Sequence, residues 1–233
     1  MSTIKILSAG AVQSMVSALA PAFERASSHN LDLNFNTVGS LRARLEGGEV
    51  ADIAILSESA IAALAKRNLF VPGSITDLAA TITGVVVKES APAPDISSPE
   101  TFKQALLKAR GVSYSDPAAG GSSGTYFASV LQKLGIADQV NKNAVLGKRG
   151  FEVAQAVADG RAEIGTTFIS EALTVQGCKV VGPLPGDLHN ANTYTAAILA
   201  RSGAPDSARA FIRTLTDPAV RDRWIEAGLQ PFF

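Results

Sequence analysis

Apolar and polar positions along this chain keep two rhythms. Ile4, Ile6 and Leu7 form a short apolar run that stops at Ser8-Ala9-Gly10-Ala11. Val12, Met15, Val16, Leu19 and Phe23 then recur at spacings of three and four, the period of a helix with one buried face. Asn30 breaks that pattern. Leu31, Leu33 and Phe35 alternate with Asp32 and Asn34, as in a half-exposed strand. Thr37-Val38-Gly39-Ser40 makes the next turn, and Leu41 to Leu45 starts a short helix closed by Gly47-Gly48. Asp52 to Leu56 reads as a buried strand, and Ile61, Leu64 and Ala65 as a helix ending near Asn68. The series β-α-β-α-β-α predicts a parallel sheet with helices on both faces.

A strong β run, Ile82 to Lys88, marks a change of direction. Ala91-Pro92-Ala93-Pro94 reads as a surface loop. Ser98-Pro99-Glu100 supplies a cap, a first-turn proline and a first-turn acid for a helix through Phe102, Ala105, Leu106 and Ala109. A strand over 112–115, a helix over 125–134, a less regular stretch over 136–148 and a helix from Gly150-Phe151 to Gly160 follow. Ala162 to Phe168 reads as a strand, Ser170 to Val175 as a short helix and Cys178 to Val181 as a strand. This is a second α/β series. Tyr194 to Ala200 is again β, two helices begin at Pro205 and Thr216, and Leu229 to Phe233 is an apolar tail.

The chain has 233 residues, enough for two lobes of about 100 residues each. Lys+Arg equals Asp+Glu at 21 each, which gives no basic field for nucleic acid or a membrane surface. The one cysteine, Cys178, rules out an internal disulfide and a multi-cysteine metal site, and reads as a buried structural thiol. No metal or cofactor is expected. The N-terminus enters a strand at once, with no basic and apolar leader, and no run is long enough to span a membrane. The expectation is a cytoplasmic protein, or a periplasmic one if a leader has been removed.

The stretch Ser115-Asp116-Pro117-Ala118-Ala119-Gly120-Gly121-Ser122-Ser123-Gly124-Thr125 carries the clearest chemistry. Three glycines and two serines lie between a strand and a helix. Such a loop frees backbone N–H groups and hydroxyls at a helix N-terminus, where the dipole favours an anion. It lacks the Lys-Ser/Thr ending of a P-loop. The same composition also serves as an ordinary strand-to-helix turn.

The order and spacing of several segments resemble the type II periplasmic-binding-protein fold, within it the molybdate-binding branch of ABC-transporter solute-binding proteins. They include Ile4 to Val12, Gly39-Ser40-Leu41, Arg44 to Gly48, Ala51 to Ile55, Ser115-Asp116-Pro117, Gly124-Thr125-Tyr126, Leu131 to Gly135, Ala162 to Gly165 and Val180 to Pro185. The resemblance implies an α/β, two-lobed fold. Each lobe is then a mostly parallel sheet flanked by helices, joined by two crossover strands near 82–88 and 178–185. Lobe I is expected over 1–82 plus 184–233, and lobe II over 83–183.

The resemblance also implies a small anionic ligand, an oxyanion or a carboxylate, trapped between the lobes by closure. Its contact loops map onto Ala9-Gly10-Ala11, Gly39-Ser40, Ser122-Ser123-Gly124-Thr125, Arg149-Gly150 and Thr166 to Phe168. An ABC permease is an implied partner only if the chain is exported. Molybdate binders carry a serine where this chain has Ala11, serines near Val38 and Gly39, and a tyrosine where it has Phe168. The third loop instead gains Ser122, Ser123 and Thr125, and Arg149 could hold a carboxylate bidentately.

Catalytic signals are thin. His29 reads as a surface residue at a helix end, and His189 lies near a possible hinge. Glu58 and Asp116 sit at strand ends, where each could be a base or a helix cap. An isomerase or lyase of a small carboxylic acid on the same scaffold is the alternative reading.

Overall fold

The structure, a computed structural model, describes residues 3–233. It divides into two compact units, Met1–Thr81 with Asn192–Phe233, and Ile82–Ala191.

In the first unit, β1 (Thr3–Ala9) is flanked in parallel by β2 (Asn30–Asn36) and β3 (Ile53–Ser57). The helices between them are α1 (Gln13–Ser27), α2 (Val38–Glu46) and, after β3, α3 (Glu58–Ala65). The long strand β4 (Thr76–Lys88) begins here and passes into the second unit after Thr81.

The second unit continues with α4 (Pro99–Lys108), β5 (Val112–Ser115), α5 (Ser122–Lys133), α6 (Ala137–Asn141) and β6 (Ala144–Gly147). It closes with α7 (Gly150–Ala158), β7 (Ile164–Phe168), α8 (Ile169–Ala172) and β8 (Cys178–Pro183). β6, β5 and β7 run parallel, and β4 pairs antiparallel with β7 and β8. The chain returns to the first unit along β9 (Ala191–Ile198), antiparallel to β3, and ends with α9 (Pro205–Leu215), α10 (Arg221–Glu226) and β10 (Leu229–Pro231).

Four readings of the sequence change. The stretch 178–183 stays inside the second unit, on β4, so the second passage between units is made by β9, after Ala191 rather than after 183. The segment 136–148 holds a short helix and a strand, α6 and β6, each too brief for periodicity to register. The apolar tail is a strand, whose Leu229 pairs with Thr81. The helix placed at 125 begins at Ser122, because Gly120 takes a left-handed φ of 74° and lets Gly121 act as the cap.

Each unit has its own core. In the first, Phe23 on α1 meets Phe211 on α9 edge-on at 5.1 Å. Trp224 is buried and its indole N–H donates to the Leu215 carbonyl at 3.1 Å. In the second, Val85 and Val87 of β4 face a cluster with Phe102, Tyr114 and Phe127, while Val86 faces another with Ala154 and Val157. Successive strand residues point to opposite faces, so a strand covered on both sides reads as one apolar run. That is the physical origin of the 82–88 signal.

Among the described residues, no helix is long and apolar enough to cross a membrane. Nor do three or more His, Cys, Asp or Glu side chains gather where they could hold a metal ion.

Candidate functional site

Parallel strands followed by helices put helix starts at the C-terminal edge of a sheet, where exposed N–H groups favour anions. Both units have such an edge.

In the first unit, β1 and β2 end side by side, Ala9 opposite Asn36. Ala9 caps a 3-10 turn, Gly10–Val12, with no side-chain bond to it. Ala9 and Ala11 are buried and Gly10 is half-buried. At the next edge position the Asn36 side chain accepts from the Thr37 N–H at 2.8 Å, and Thr37 Oγ1 accepts from the Ser40 N–H at 3.2 Å. Gly39 and Ser40 lie half-buried in the first turn of α2. One group here escaped sequence reasoning: Ser14 Oγ is buried and has no partner. It lies in the first turn of α1, directly after the Gly10–Val12 turn. Its signal was hidden because it falls inside a helix whose apolar face explained the pattern.

In the second unit, three edge segments come together on adjacent strands. Ser115 at the end of β5 registers with Gly147 at the end of β6, and Tyr114 with Thr166 on β7. Asp116 accepts from the Ala118 N–H at 2.9 Å, so it caps the turn after β5. α5 then starts at Gly121 with no side-chain cap. Ser122 is half-buried. Ser123 is buried, its hydroxyl 3.4 Å from that of Ser115. A Cβ on Gly124 would overlap the Ser115 carbonyl, so glycine lets the helix start press directly on the strand end. Thr125 is exposed and its hydroxyl donates to the Gly121 carbonyl at 3.1 Å. Of the four loop residues, Ser122 therefore keeps the least committed hydroxyl.

Arg149 and Gly150 open α7. The Arg149 guanidinium sits 4.5 Å above the Phe151 ring, and its Nε is 3.7 Å from Glu152. The Gly150 N–H donates to Glu171 Oε1 at 3.2 Å. A Cβ at Gly150 would overlap the Glu171 carboxylate and the Thr167 hydroxyl. The start of α7 thus already bonds a carboxyl group of the protein itself. Glu171 was not singled out from the sequence, because Ser-Glu-Ala after a strand reads as an ordinary helix start.

Glu171 is buried, and loss of hydration pushes its carboxyl up to about 7, against the Gly150 N–H and the Arg149 charge, which act to lower it. A carboxyl in that state can give or take a proton near neutrality. Beside it, Thr167 Oγ1 on β7 is buried without a hydrogen-bond partner. Thr166 Oγ1 on β7 and Thr83 Oγ1 on β4 are buried and unpartnered too, but strand alternation turns them to the opposite face of the sheet. Phe168, opposite Thr83, is buried.

The remaining candidates separate. Glu58 is exposed at the start of α3. His29 Nε2 lies 3.1 Å from Ser207 Oγ. Cys178 is half-buried, its thiol directed at the Val175 carbonyl at 3.5 Å, and burial pushes its pKa up.

Residues 4–230 match the family model described as bacterial extracellular solute-binding protein. The chain is 30% identical over 237 residues to an aconitate isomerase of a Pseudomonas species, covering 98% of this chain and 88% of that protein. Among solved structures it is similar to the periplasmic molybdate-binding protein of Azotobacter vinelandii, with a TM-score of 0.77 and 18% identity over 97% of this chain and 98% of that one. The sulfate-binding protein SubI of Mycobacterium tuberculosis gives 0.78 and 17% identity, over 100% of this chain and 88% of that one. These likenesses agree on an α/β fold of the type II periplasmic-binding-protein kind. The chain belongs to the bacterial extracellular solute-binding protein family.

Proposed function

We propose that this protein binds a small carboxylate anion through backbone N–H groups and hydroxyls at the start of α5. The observation that carries the reading is the uncapped start of α5. Its cap position is Gly121, which makes no side-chain bond to the first turn, and Ser122 stands in that turn. The helix has 12 residues, long enough for its dipole to matter at that end. Ala11 and Phe168 stand where molybdate binders carry hydroxyls, which favours a carboxylate over a tetrahedral oxyanion. Hand-over to an ABC permease belongs to this reading only where the chain is exported.

Ser122→Asp tests it. A carboxylate in the first turn of α5 supports the helix by about 0.3–1 kcal/mol, yet occupies the place of an external anion. Anion affinity is expected to fall at least tenfold in calorimetry while the melting temperature holds or rises. Unchanged affinity for every anion that binds the parent protein would refute the site.

A second reading, isomerisation of an unsaturated tricarboxylate, is favoured by the relative named an aconitate isomerase and by Glu171. Moving the double bond of such an acid takes a proton from one carbon and returns one to another, work for a carboxyl that titrates near neutrality. The same titration, run with trans-aconitate and followed by NMR, separates the two. A binder shifts the ligand signals; an isomerase converts them to those of the cis isomer.

A further inference from the structure

At the other end of the second unit lies a crevice of about 970 Å³ that none of the candidate anion residues lines. It opens between α4, the 91–95 loop and the turn that leads into β7. Ile164, at the start of β7, is in its wall, whereas the candidate anion segments stand at the ends of β5, β6 and β7. The volume falls in the range of small-molecule sites.

Its chemistry is particular. The apolar wall is aliphatic, from Val87, Ile164, the loop prolines and alanines that include Ala105 and Ala109, and it contains no aromatic ring. A flat base or sugar would find no face to stack on; a flexible alkyl chain would fit. The charges at the mouth are unequal in availability. Glu163 is charge-paired with the guanidinium of Arg110, while Asp95 accepts from the Ser97 N–H and Glu100 from the Gln104 side chain, neutral donors that occupy an oxygen and leave the charge. Hydrogen bonds hold the Glu163 and Asp95 carboxyls below their usual range. Lys88 and Lys108, both exposed, make no ion pair among the described residues. Two free ammonium groups thus border an aliphatic hollow.

We propose that this crevice is a second binding site, for a monocarboxylate with a medium-length alkyl tail. The tail lies along Val87, Ala105 and Ile164, and the carboxylate meets Lys88 and Lys108. Each methylene moved from water into the crevice is worth roughly a fourfold gain in affinity.

The test uses the full chain, with sodium octanoate and sodium butyrate as probes in calorimetry. Octanoate should bind saturably, and butyrate at least tenfold more weakly. Lys88→Glu combined with Lys108→Glu should cost at least tenfold for octanoate, and both positions are exposed, so the fold should survive. Octylammonium, with the same tail and the opposite charge, should bind the double variant better than the parent. The proposal fails if octanoate does not saturate at millimolar concentration, or if the double variant binds it as the parent does. It fails equally if Ser122→Asp abolishes octanoate binding, since the ligand would then occupy the other site. Self-association lost in the double variant would assign the crevice to a second copy of the chain and overturn the proposal.

Discussion

Glu171 couples protonation to stability. Folded, its carboxyl keeps a proton up to about pH 7; unfolded, it ionises near the ordinary value of 4.5. Between those values the folded state binds more protons, so raising the pH through that window must weaken folding. The loss is on the order of 3 kcal/mol at most. Urea unfolding followed from pH 4.5 to 7.5 should show the decline, and Glu171→Gln should flatten it. Glutamine keeps an oxygen for the Gly150 N–H and cannot ionise. A slope that persists in the variant would place the titrating group elsewhere. Sequence alone could not mark this residue, because desolvation depends on what covers a side chain. The partnerless hydroxyls of Ser14, Thr166 and Thr167 were hidden for the same reason.

Helices and strands were far more legible than the contacts among them. The cap before α4 was readable as Ser98-Pro99-Glu100, and Ser98 Oγ accepts from the Thr101 N–H at 3.1 Å while Thr101 Oγ1 accepts from the Ser98 N–H at 3.1 Å. Thr101, not the acid, completes that reciprocal pair. Ser98→Ala should lower the unfolding free energy by about 1 kcal/mol, read by denaturant titration, and leave anion affinity unchanged. Periodicity placed α1, α4 and α7 because each has an apolar stripe. It passed over α6 and β6, which are too short to repeat a period. Register was out of reach as well: β8 sits on β4 through pairings with a shift between Val85 and Val86, and nothing local specifies that. Asp116 was ambiguous between base and cap until its bond to the Ala118 N–H settled it as a cap.

The two units differ in how the chain supplies them. The second is one unbroken stretch, Ile82–Ala191, with its own aromatic cluster of Phe102, Tyr114 and Phe127. The first is assembled from two separated stretches. A fragment spanning 82–191 should therefore fold alone, giving dispersed amide signals in NMR and a cooperative thermal transition. A fragment of 1–81 should do neither, because β3 would lack β9 and the end of β4 would lack β10.

That interrupted first unit sets an order on the ribosome. The edge of β3 stays open until Tyr194 to Ile198 has left the exit tunnel, by which time the whole of the inserted stretch has been synthesised. The newborn polypeptide thus completes its middle before its beginning. For much of translation it carries a bare, apolar strand edge of the kind that chaperones shield.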